Sequence, residues 1–254
     1  MEAPIVLERR DGVLVIHLNR SDQRNAINRD MSLRLAEAMD LLDSDPTLRV
    51  GVLTGYGDHF CAGMDLKGFG AGESIEVSGR GIGGITRGGP KKLLIAAVEG
   101  YAIAGGFEVV LACDLVVASE TAQFAFPEVA RGLIAGSGGI IRLVRRMPEV
   151  IAAEVVFTGR RLSAEDAHRW GLINRLAAKG DALTEALELA TAISKGAPLA
   201  LASSKQVLRA AAELTGPAAW RLQDELLARV LSSSDAKEGA AAFREKREPE
   251  WGAE

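Results

Sequence analysis

Short β-branched runs alternate with helix-period segments over the first two-thirds of this chain and then stop, and no other feature constrains its fold as strongly. Ile5–Leu7 and Val13–Leu18 flank the turn dipeptide Asp11-Gly12 and read as a hairpin. Asn28 or Asp30 is placed to cap a helix running to about Leu42, with Met31, Leu35, Ala38, Met39 and Leu42 on one face. Asp45-Pro46 ends it. Val50–Leu53, Leu93–Val98 and Leu115–Ala118 read as further strands, the last two separated by a helix that begins near Gly105-Gly106. Strands alternating with helices pair in parallel through right-handed crossovers, which makes the chain α/β.

From about Arg142 the pattern becomes almost wholly helical. Ser163-Ala164-Glu165-Asp166 is a capping-box-like start, with Asp in place of the usual Glu or Gln. Asp181–Ser194, Pro198–Leu214, Pro217–Leu231 and Asp235–Lys246 read as helices, with Pro198 and Pro217 suited to first turns. The chain is accordingly divided into residues 1–195 and a helical region, 196–254. The glycine-rich stretch Gly68–Gly89 reads as a long mobile loop.

Composition narrows the function classes. Of 254 residues, 48% are hydrophobic, 25% charged and 5% aromatic, which supports a sizeable core and excludes a disordered chain. The net charge of −4 offers no global field for nucleic acid, so a phosphate-bearing ligand must be met by local cations. Two cysteines, Cys61 and Cys113, make neither a disulfide framework nor a cysteine-rich zinc site. The N-terminus lacks the apolar run of a signal peptide, and the longest apolar stretch, Tyr101–Cys113, is too short to span a membrane and contains Glu108. A cytoplasmic protein without membrane insertion is expected.

Three segments carry chemistry. In Ala104-Gly105-Gly106-Phe107-Glu108-Val109-Val110 a lone carboxylate sits in apolar company just after a Gly-Gly pair at a helix start. Burying it costs several kcal/mol or raises its pKa, while the free N–H groups of a helix N-terminus can hold a developing oxyanion. A Glu turned to solvent or paired with Arg fits that window equally well. A second lone acid lies in Phe126-Pro127-Glu128, where a loop glutamate paired with Arg131 is the bland alternative. Two such acids suggest a general acid/base pair. The third segment, His59-Phe60-Cys61-Ala62-Gly63-Met64-Asp65-Leu66-Lys67, follows a strand end, where open α/β sheets bind ligands.

Other motifs fail on context. Gly79-Arg80-Gly81-Ile82-Gly83-Gly84 has dinucleotide-loop spacing but no clear preceding strand, and Gly88-Gly89-Pro90 blocks the helix that should follow. Ala135-Gly136-Ser137-Gly138-Gly139 resembles a nucleophile elbow, yet its only downstream histidine, His168, stands poorly placed two residues from Asp166. His17, His59 and His168 lack metal-ligand spacing, so no metal is expected.

In this order, Arg24-Asn25-Ala26-Ile27, Phe60–Lys67, Gly105-Gly106-Phe107-Glu108, Phe126-Pro127-Glu128, Thr158-Gly159-Arg160-Arg161-Leu162-Ser163-Ala164 and Phe243-Arg244-Glu245-Lys246-Arg247 resemble the enoyl-CoA hydratase (crotonase) superfamily over essentially the whole chain. Within it, Arg169-Trp170-Gly171-Leu172-Ile173-Asn174-Arg175 and the C-terminal segment look most like carnitinyl-CoA dehydratase-like members. The resemblance implies a spiral of β-β-α turns with a C-terminal helical trimerisation region, giving a homotrimer or a dimer of trimers. It implies an oxyanion hole made by the amides of Met64 and Gly105, with Glu108 and Glu128 as the two carboxylates that hydrate a 2-enoyl-CoA thioester.

By the same resemblance, Arg24, Ala26, Ala62, Gly63, Asp65, Leu66 and Lys67 face the CoA portion, Phe243 and Lys246 reach the ligand from a neighbouring subunit, and Lys205 is a weaker basic candidate. Phe126 and Phe69 are expected to narrow the acyl pocket. No cofactor is implied, since coenzyme A is part of the substrate. An isomerase or a specialised dehydratase on the same fold remains open, as does a non-catalytic acyl-CoA-binding scaffold. With so few aromatics, neither a cage nor a buried acid for a trimethylammonium group is evident.

Overall fold

A computed structural model describes residues 3–70 and 72–252. The expected hairpin is present: β1 (Ile5–Arg10) pairs antiparallel with β2 (Val13–Leu18). Its turn residues Asp11 and Gly12 have φ of 45° and 81°, the geometry that matches the twist of the strands. Asn28 proves to be the cap of α1 (Arg29–Ser44), its Oδ1 accepting from Met31 N at 2.9 Å. All five residues expected on the apolar face of α1 are buried. The chain continues through β3 (Val50–Gly55), α2 (Leu66–Gly70), a small antiparallel pair β4 (Glu76–Val77) and β5 (Gly81–Ile82), β6 (Leu93–Val98) and β7 (Tyr101–Ile103). There follow α3 (Gly105–Ala112), β8 (Leu115–Ser119), β9 (Gln123–Ala125), α4 (Gly139–Arg146) and α5 (Glu149–Thr158). β10 (Leu162–Ser163), α6 (Ala164–Arg169), β11 (Arg175–Ala177), α7 (Ala182–Ser194), α8 (Pro198–Ala211), α9 (Gly216–Leu231) and α10 (Ser234–Glu245) complete it.

Six strands form the main sheet in the order β1-β2-β3-β6-β8-β11, parallel throughout apart from the β1–β2 edge. A second sheet, β10-β9-β7, takes the strand that follows β6 and the strand that follows β8. The turns β6-β7-α3 and β8-β9-α4 thus each lay one strand in each sheet before a helix, as in a β-β-α spiral. β2 is buried on both faces: Val13 and Val15 meet α7 through Ala186 and Ala190, while Leu14 and Ile16 join the larger core with α1 and α3.

The short strands β7, β9, β10 and β11 escape the sequence pattern because two or three residues carry no measurable period. Gly68–Gly89 differs from expectation. It is a short helix and a two-stranded pair, not a structureless loop, because Ile75, Ile82 and Ile85 are buried and Ser32 pins it to α1. The Ser32 hydroxyl donates to Ile75 O and accepts from Gly83 N. The C-terminal helices fall within a few residues of the expected limits, and α9 buries no residue. Among the described residues no helix is long and apolar enough to cross a membrane.

Candidate active site

The site is built where β3 and β7 hand over to their following segments. Cys61 N donates to Tyr101 O at 2.8 Å and Ile103 N to Cys61 O at 2.9 Å, so Cys61–Met64 runs beside β7. Ala104 turns the chain into α3 with φ 53° and ψ −126°, a conformation disfavoured for a residue with a Cβ; its N–H is held by Ala125 O at 2.9 Å. The Gly105 N–H therefore opens a helix, with no acceptor in the turn before it. On the facing segment, Ile27 N donates to Gly63 O at 2.7 Å and Asp65 N to Ile27 O at 2.8 Å. In that parallel bridge the Met64 N–H points away from Ile27. A Cβ built on Gly105 would lie 3.8 Å from Met64 N, so the two amides are neighbours, and neither has an acceptor among the described residues. Gly63 permits the approach: its φ is 97°, and a Cβ there would stand 2.9 Å from Ile103 O.

Glu108 lies in the first turn of α3 and is 3% exposed. Its Oε1 accepts from Ser137 N at 2.7 Å and Gly139 N at 2.9 Å. Burial pushes its pKa up, against the pull of these two amides and the more distant Arg142 charge. Glu128 sits on a 3-10 turn, Pro127–Arg131, and its Oε2 is buried without a hydrogen-bond partner. Burial raises its pKa too, and the charge of Glu108 adds to the rise. Both glutamates line one cavity of about 540 Å³ together with Met64 and Gly105. The paired-glutamate alternatives are not what forms. Arg131 donates to Pro127 O at 3.2 Å instead of to Glu128, and Arg142 is spent on the carbonyls of Ser137 and Thr86.

The segment around Arg24 lies against the same mouth, with Ala62 N donating to Arg24 O at 2.9 Å. Ala62, Met64 and Leu66 line the cavity, while Arg24, Ala26 and Lys67 lie outside its lining. The Asp65 carboxylate pairs with Arg20 at 2.9 Å and accepts from Lys67 N, and the guanidinium holds its pKa down. Asp65 therefore fastens the Ala26–Lys67 corner with its side chain. Phe243, 87% exposed on α10, and Lys246, which caps that helix, do not reach the cavity within the chain.

Two expectations are corrected. Lys205 is buried in an ion pair with Asp114 at 2.6 Å and donates to Lys92 O, which leaves no charge for a ligand at this cavity. Phe126 is core, stacked on Phe107 with ring centroids 4.6 Å apart, and does not narrow the pocket. The side chain of Phe69 falls outside the described residues. Gly72, Glu73, Ser74, Ile75 and Glu76 of the glycine-rich stretch border the cavity.

Ser137 and Gly139 are the functional residues that sequence reasoning missed. In the sequence their glycine-rich segment points to the serine hydroxyl, whereas its amides hold Glu108. The hydroxyl itself donates to Glu76 Oε1 at 3.3 Å and faces no histidine, which removes the nucleophile-elbow reading. Among the described residues no group of three His, Cys, Asp or Glu side chains is placed to hold a metal ion.

Known proteins resemble this chain along almost its whole length. The family model described as enoyl-CoA hydratase/isomerase matches residues 8–254. Carnitinyl-CoA dehydratase of Proteus mirabilis (strain HI4320) is 41% identical over 259 residues, covering 99% of each chain. The crystal structure of an enoyl-CoA hydratase from Mycobacterium tuberculosis H37Rv superposes with a TM-score of 0.97 at 48% identity, covering 100% of both chains. That of carnitinyl-CoA hydratase from Mycobacterium avium gives 0.81 at 42% identity, also over 100% of both.

Proposed function

Because the chain belongs to the enoyl-CoA hydratase/isomerase family, we propose that it catalyses the reversible hydration of a 2-trans-enoyl-CoA thioester to the 3-hydroxyacyl-CoA. One observation carries the reading: a buried and a half-buried carboxyl, both with raised pKa, share an apolar cavity with two adjacent, unpaired amides. The thioester oxygen sits between Met64 N–H and Gly105 N–H, which stabilise the enolate-like charge as it develops. Glu108 holds the water and takes its proton as hydroxide adds to Cβ. Glu128 delivers a proton to Cα, so the net change is addition of one water, and dehydration reverses both transfers.

The environments support this division. Two backbone donors favour the ionised form of Glu108, whereas the partnerless Oε2 of Glu128 favours the protonated one. Two closely placed acids titrate as a unit, so their pH profile belongs to the pair. Arg24 and Lys67 meet the phosphates of the CoA moiety, which is substrate and not cofactor. The exposed apolar side chains Trp220, Leu231 and Phe243 on α9 and α10 support a homotrimer built through residues 196–254.

Loss of conjugated enoyl-thioester absorbance from crotonyl-CoA tests the reaction. Glu108→Gln and Glu128→Gln should each abolish it while butyryl-CoA still binds; hydration surviving in both variants overturns the proposal. A specialised dehydratase is the second reading, favoured by Glu73 and Glu76 on the cavity wall. They are exposed carboxylates, whose charge attracts a cationic acyl group to that wall without forming a buried acid. A 4-trimethylammonio-2-enoyl-CoA turned over no better than its neutral tert-butyl isostere would remove it.

A further inference from the structure

A second cleft, of about 670 Å³, opens between α4, α8, the C-terminal end of α3 and the segment leading into β6. Although the chain carries a net charge of −4, six cations line this one concavity: Arg87, Arg142, Arg145, Arg146, Lys205 and Arg209. Only Asp114 and Glu213 oppose them there. Asp114 is consumed by Lys205 at 2.6 Å and Arg209 at 2.9 Å, and Glu213 by Arg145 at 3.3 Å.

Arg87 and Arg146 keep donors to spare. Arg87 makes no side-chain hydrogen bond among the described residues. Arg146, which lines the cleft, uses only Nη2, on Cys113 O at 2.7 Å, while its Nε and Nη1 make no hydrogen bond among the described residues. Guanidinium forks of this kind match the paired oxygens of a carboxylate or phosphate. Around them the lining is apolar, with Leu93, Leu115, Leu201 and Leu208, and the volume greatly exceeds that of a bare oxyanion.

We propose that this cleft is a second ligand site, taking an amphiphilic anion whose carboxylate or phosphate head rests on Arg87 and Arg146 and whose apolar body covers the leucines. It is separate from the Glu108 cavity: α3 and α4 each present their N-terminal end to that cavity and their C-terminal end to the cleft.

Calorimetric titration of the assembled full-length protein tests the site independently of turnover, with decanoate, decyl phosphate and inorganic phosphate as probes. Saturating butyryl-CoA is present throughout to block the first cavity. One saturable site for a ten-carbon anion is expected, with inorganic phosphate at least tenfold weaker; the better of the two ten-carbon probes identifies the head group. Arg87→Glu, an exposed change, and Arg146→Gln should each weaken binding about tenfold. No saturable binding, binding lost to butyryl-CoA, or unchanged affinity in Arg87→Glu overturns the proposal.

Discussion

Gly139→Ala isolates the support of Glu108 from its chemistry, because the carboxylate itself is left in place. A Cβ at position 139 would lie 2.5 Å from Phe126 Cζ and 2.8 Å from Glu108 Cγ, where ordinary contact begins at 3.4 Å. Neither neighbour has room to yield: Phe126 is 1% exposed and stacked on Phe107, and Glu108 is 3% exposed. Relief requires a displacement of roughly 0.6–0.9 Å, and overpacking of this kind costs about 1–3 kcal/mol. Taking about 2 kcal/mol, a chain of this size loses about 4–8 °C in Tm. The same displacement pulls Gly139 N from Glu108 Oε1, and a misplacement near 1 Å lowers turnover by about 10²-fold. Crotonyl-CoA hydration, followed beside thermal unfolding, reads both effects. A variant within twofold of the parent rate and within 1 °C of its Tm would falsify the packing argument.

Other outcomes follow from the same geometry. Gly63→Ala, strained at φ 97° and pressed on Ile103 O, should move Met64 N–H and lower kcat by about 10²-fold with a smaller change in butyryl-CoA affinity, measured by steady-state kinetics and titration. Ser137→Ala keeps the amide that holds Glu108 and should retain hydration within a few-fold; a loss of 10²-fold would return the hydroxyl to the mechanism. Burial raises the Glu128 carboxyl above 4.5, so the folded chain holds this proton more tightly than the unfolded one. The stability linked to it is complete below pH 4.5 and is lost as pH rises through the raised value. Glu128→Gln, neutral throughout, should therefore unfold at a higher temperature than the parent at pH 8, with the gap closing near pH 4, while turnover is lost. Lys205→Met should cost about 3 kcal/mol in urea unfolding, since it strips a buried partner from Asp114.

Glu108 and Glu128 were legible because a lone acid in an apolar segment is costly unless something uses it. Their convergence was not, because the nineteen residues between them include β8 and β9, which lie in different sheets. That the Asp65 side chain acts as a fastening was not legible either, since its partner Arg20 is 45 positions away. Lys205 likewise finds Asp114 across 91 positions, and spacing in the chain carries no signal for such a pair.

Local order and ligand geometry divide on the same line. The Asp11-Gly12 hairpin, the Asn28 and Ser163 caps and the apolar face of α1 depend on neighbours within a few residues, so the sequence by itself determined them. Tertiary structure alone decided that the Met64 and Gly105 amides are neighbours, that Ser137 and Gly139 hold Glu108, and that six cations gather in one cleft. Those arrangements rest on pairings between distant strands, where a one-residue change of register turns an N–H or a side chain to the opposite face.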